Sequence, residues 1–137
     1  MVHVLRFEGD RVSYRNRWVR TPKWQLEHSS GRALFGSWGD PRTADPLALD
    51  QDDGVANTSI LWHAGRLLAL EEAHLPFEVY PHSLDSRGYC DFHGELKSQV
   101  TAHPKIDPIT GELVFFGYSI AGPFTPDMGY GVVRVAC

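Results

Sequence analysis

Short runs of alternating apolar and polar residues, each closed by a turn signal, recur along the whole chain. Roughly seven to nine such runs follow one another at intervals of about ten residues, a rhythm that builds an all-β sandwich, barrel or propeller. No clean internal repeat chooses among the three. Val2–Phe7 and Arg11–Val19 flank "EGDR" as a predicted hairpin. "TSILWHAGRLLALEE" reads as a second, with Ser59–His63 and Arg66–Glu71 joined by a tight Ala-Gly turn. "PFEVYPHSLDSRGYCDFHG" reads as strand, turn and strand, and "GYGVVRVA" as the last strand. Two segments break the rhythm. "TPKWQLEHSSGRAL" predicts a short helix with Pro22 in its first turn and Gly31 near its end. Residues 36–57 contain two Asp-Pro steps and an acidic cluster, and read as a long loop.

The 137 residues suffice for one ordinary domain, and 42% hydrophobic with 22% charged residues marks an ordered chain. A net charge of -4 argues against nucleic acid as a partner. Residues 1–32 are locally basic, with seven Lys/Arg against three Asp/Glu. There Val12, Tyr14 and Trp18 alternate with Ser13, Arg15 and Arg17, which predicts a half-buried strand with a solvated basic face. Cys90 and Cys137 match no zinc or redox spacing, which favours a reducing, cytoplasmic setting. No run has transmembrane length. The chain starts and stops inside strand-like runs, so both ends read as cut and residues 1–137 as a piece of a larger domain.

The chemistry concentrates in "TAHPKIDPITGELVFFGYS", residues 101–119. Pro104 forces His103 into extended backbone at the mouth of a strand. "DPITG" then supplies a turn, and "ELVFFGYS" a second strand. His103 is either a histidine packed at a hairpin end or one ligand of a metal. The other six histidines show neither zincin spacing nor a His-x-His pair, and read as surface or core-edge residues. Glu71 closes the apolar run "LLAL". A carboxylate there either emerges into solvent or is buried with a partner. A ligating histidine commonly gives its second N–H to a carboxylate, so Glu71 and His103 form a candidate pair.

"NTSILWHAGRLLALEEAHLPFEV" followed by "TAHPKIDPITGELVFFGYS" resembles the carotenoid cleavage oxygenase family, which includes the retinal pigment epithelium membrane protein and the lignostilbene dioxygenases. "MVHVLRFEGDRVSYRNRWVRT" resembles the family's early hairpin, so the likeness covers nearly the whole chain. It implies part of a seven-bladed β-propeller, about two blades, with an Fe(II) on its axis held by four histidines and three orienting glutamates. His103 matches the first iron ligand, and Glu71 the outer glutamate, with Glu72 as the competing assignment. The other three ligands have no counterpart here. The implied reaction cleaves a conjugated C=C bond with O₂ to give two carbonyl products.

In the lignostilbene branch a lysine and a tyrosine grip a phenolic oxygen; the matching places here are Leu70 and Trp38. That substitution favours a carotenoid or apocarotenoid over a stilbene. Peripheral membrane contact is implied through parts of the family's chain not present here. Two rival readings stand beside this one: an inactive or truncated member of the family, and a non-catalytic propeller module with a structural His103. The chain alone is expected to leave Leu113, Phe115 and Phe116 short of partners.

Overall fold

The computed structural model describes residues 1–37, 40–122 and 125–135. Its strands form three antiparallel meanders, in which sequence neighbours are also hydrogen-bonded neighbours. The first sheet is a hairpin of β1 (Val2–Glu8) and β2 (Arg11–Arg17). The second orders β3 (Ser59–His63), β4 (Arg66–Leu70), β5 (Phe77–Val79) and β6 (Ser86–Tyr89). The third orders β7 (Lys105–Ile106), β8 (Leu113–Tyr118) and β9 (Met128–Val133).

Local chemistry explains the boundaries. Helix α1 (Pro22–Ser30) begins where the Thr21 hydroxyl accepts the Trp24 N–H and Pro22 occupies a position that needs no donor. It ends where Gly31 turns left-handed at φ 66°. The β3–β4 turn has positive φ at both central residues, Ala64 at 46° and Gly65 at 78°. That geometry matches the right-handed twist of the strands and sets the pairing of His63 with Arg66. The long loop carries two single 3-10 turns, Pro41–Thr43 and Pro46–Ala48.

The core lies on both faces of the second sheet. Ala69, Phe77 and Val79 pack on one face with Val2, Val19, Ala56 and Leu84. Leu68 and Leu70 pack on the other with Cys90 and Ala102. Because β4 is covered on both sides, its sequence reads as a continuous apolar run rather than an alternation. The buried Glu78 carboxylate is held between Arg66 and Arg87, each 2.8 Å away, so its charge is paired where it is largely shielded from solvent.

Two expectations are corrected. The early hairpin is not half-buried along its apolar stripe: Leu5, Phe7, Val12, Tyr14 and Trp18 are all exposed. Val2 and Val4, on the opposite face of the ribbon, make its contact with the core. Leu113 and Phe115 are not short of partners but buried, whereas Phe116 is exposed. The pleat of β8 sends odd and even positions to opposite faces, so only Val114, Phe116 and Tyr118 share the open face. No helix among the described residues is long and apolar enough to cross a membrane.

Candidate functional site

The end of β4 and the approach to β7 meet through one carboxylate. His103 lies two residues before β7, next to Pro104, whose ring disfavours helical backbone at the residue before it. The imidazole is 65% exposed, and its Nε2 lies 3.2 Å from Oε1 of Glu72. The second oxygen of Glu72, Oε2, accepts from the Thr101 hydroxyl at 3.2 Å and from the Tyr118 hydroxyl at 3.1 Å. The Thr101 hydroxyl oxygen also accepts the backbone N–H of His103 at 3.1 Å. Thr101 is fully buried, and its own N–H donates to the Phe116 carbonyl on β8. Burial, and then the neighbouring Glu72 carboxylate, raise the Tyr118 pKa above the ordinary phenol value, so its hydroxyl remains a donor at neutral pH.

Glu71 belongs to a different group. Its Oε1 contacts Nδ1 of His74 and accepts the Val55 N–H. Nε2 of His74 lies 3.1 Å from Oδ1 of Asp53. Tyr89 stacks on His74 and donates its hydroxyl to Asp52 at 2.7 Å. Together these contacts tie the long loop to the second sheet. The Glu71 carboxylate raises the His74 pKa above its ordinary value; burial opposes this, and Glu71, Asp52 and Asp53 add attraction through space.

The structure therefore brings Glu72, not Glu71, to His103. Adjacent residues past a strand end point in different directions, and Glu71 is taken up by His74. Leu70, expected beside the substrate, is 2% exposed and packed with Leu68, Cys90 and Ala102. Trp38 lies outside the described residues. Sequence reasoning did not find Thr101, Tyr118 or His74. A hydroxyl two residues before His103 was the one local signal; Tyr118 is 46 residues from Glu72 and gave none.

What the site can hold follows from its donors. Nε2 of His103 faces a carboxylate, which favours the tautomer that donates there and leaves the other ring nitrogen with its lone pair. That suits a neutral ligand to a borderline metal such as iron. Among the described residues no group of three or more His, Cys, Asp or Glu side chains could enclose a metal ion, so the fit is that of one corner of a site.

The family model of the retinal pigment epithelial membrane protein matches residues 1–137. The chain is 43% identical over 134 residues to isoeugenol monooxygenase of Pseudomonas nitroreducens, covering 97% of this chain and 28% of that protein. It resembles the crystal structure of Pseudomonas brassicacearum lignostilbene dioxygenase with a TM-score of 0.89 at 38% identity, covering 96% of this chain and 28% of the other. A variant of the Synechocystis apocarotenoid oxygenase shares the fold with a TM-score of 0.68 at 23% identity, covering 96% of this chain and 33% of the other. The chain thus spans about a third or less of the length of each of these proteins, and its sheets are part of a β-propeller.

Proposed function

The chain belongs to the retinal pigment epithelial membrane protein family, and from that premise we propose that it is part of a non-heme Fe(II) dioxygenase. In this reading O₂ adds across a conjugated C=C bond, the bond breaks, and each carbon leaves as a carbonyl. The observation that carries the reading is the His103–Glu72 pair, an imidazole oriented by a carboxylate at the mouth of a propeller strand. His103 supplies one ligand through its free ring nitrogen. Glu72 holds the ring and offsets positive charge at the site. Iron, when bound, supplies the activation of O₂; the protein supplies geometry.

For the substrate, the preference for a carotenoid rested on Leu70 and Trp38. Leu70 is packed in the core, which removes its half of that ground. The stronger likeness to isoeugenol monooxygenase and lignostilbene dioxygenase favours an aryl-substituted alkene, a phenylpropene or a stilbene. A carotenoid or apocarotenoid is the second reading, supported by 39% identity over 125 residues to carotenoid cleavage oxygenase 1 of Neurospora crassa.

The test is a side-by-side assay of the intact protein on isoeugenol, a 4-hydroxystilbene and an apocarotenoid, with iron content measured and His103→Ala as control. Cleavage of an aryl alkene that falls with iron content and disappears in His103→Ala is expected. Cleavage of the apocarotenoid alone would reverse the substrate order. Cleavage that survives iron removal and His103→Ala would overturn the reading altogether.

A further inference from the structure

We propose that Thr101 and Tyr118 are positioning residues: their hydroxyls clamp the Glu72 carboxylate and so fix the His103 imidazole in its metal-binding orientation. The inference rests on the reading of His103 as an iron ligand.

A glutamate side chain emerging past a strand end has several rotamers, and by itself would hold an imidazole only loosely. Here Oε2 of Glu72 is held by two hydroxyl donors that come from different elements, Thr101 from the segment before β7 and Tyr118 from the end of β8. With Oε2 held, the plane of the carboxylate is set, and Oε1 is the oxygen presented to His103. Thr101 does more than hold the carboxylate. A hydroxyl can donate its one proton while its lone pairs accept, so the Thr101 side chain can bond Glu72 and the His103 backbone N–H at once. It thereby couples the backbone of His103 to the carboxylate that meets its ring. Thr101 is itself anchored, being fully buried with its N–H on the Phe116 carbonyl. The two donors are separable. Removing the Tyr118 hydroxyl leaves the aromatic ring on the open face of β8, so the change reaches Glu72 without touching the core.

The experiment is a titration of the metal-free intact protein with Co(II) alone, followed by visible absorption. The variants are Tyr118→Phe, Thr101→Val, Thr101→Ser and His103→Ala, with a thermal melt of each. Outer partners of metal-ligating histidines typically contribute about 10–100-fold in affinity. Tyr118→Phe and Thr101→Val are expected to weaken Co(II) binding by at least the lower end of that range and to shift the d–d bands. Thr101→Ser keeps the hydroxyl and is expected to bind as wild type does. Wild-type affinity and spectrum in both Tyr118→Phe and Thr101→Val, with binding still lost in His103→Ala, would overturn the clamp and leave the role of His103 intact. Wild-type binding in His103→Ala would overturn the underlying reading and the clamp with it. Should Thr101→Val melt far below wild type, Tyr118→Phe decides alone.

Discussion

Oε1 of Glu72 stands 3.2 Å from Nε2 of His103, while the adjacent Glu71 turns its carboxylate to His74. Neighbouring carboxylates thus serve different histidines. Glu72→Gln, which keeps the shape and removes the charge, is expected to weaken Fe(II) binding by the intact protein about 10–100-fold. Glu71→Gln is expected to leave it unchanged. Anaerobic metal titration of both variants checks this; the reverse order would make Glu71 the partner of the ligand.

His74 predicts a pH dependence of stability. Its pKa is raised in the folded protein, by Glu71 first, against the opposing effect of burial. The protonated ring lies between Glu71 and Asp53, with Asp52 nearby through Tyr89. A raised folded-state pKa means that the stabilisation is fully present below the unfolded value of about 6.5, and is lost as pH rises through the folded value. Denaturant unfolding of wild type and His74→Gln should therefore give curves that converge as pH rises above about 6.5. Curves that stay parallel would mean that His74 does not titrate between its acidic neighbours.

Gly54, in the long loop, lies against Tyr89 and His74. A Cβ there would lie 2.1 Å from the Tyr89 hydroxyl and 3.2 Å from the His74 ring. Tyr89 is wedged edge-on against Phe77 and stacked on His74, so its hydroxyl has little room to yield. Gly54→Ala is expected to cost about 1–3 kcal/mol as the Tyr89–Asp52 bond is lost. In a Tyr89→Phe background the same change should cost less, which a double-mutant cycle by chemical denaturation would measure. Equal costs in both backgrounds would place the strain elsewhere.

The 137 residues purified by themselves are expected to show neither oxygenase activity nor tight Fe(II) binding. Among the described residues His103 and Glu72 form at most one corner of a metal site. The exposed faces that carry Phe7, Phe116, Met128 and Tyr130 should also promote self-association. Sedimentation and metal analysis test both points; a monomer with stoichiometric iron would contradict them.

Much of this arrangement is written locally. Pro104 restricts His103 to extended backbone, Ala64 and Gly65 form the turn that registers β3 on β4, and Thr21, Pro22 and Gly31 bound the helix. These effects act over one to four residues, so the first two hairpins, the helix and the place of His103 before a strand were legible from the chain itself. The motif around His103 likewise pointed to the family. What the sequence could not decide is which groups meet. Glu71 and Glu72 are chemically identical neighbours, and what separates them comes largely from elsewhere in the chain: for Glu71 the Val55 N–H from the long loop beside the nearby His74, for Glu72 Thr101 from 29 residues beyond it and Tyr118 from 46. Leu70 sits in the core because the second face of its sheet is covered, which its own sequence does not record. Such choices depend on how separate sheets pack and on where each side chain finds a donor or acceptor out of solvent. Only the tertiary structure sets those distances, because the contacts form between segments whose sequences carry no record of each other.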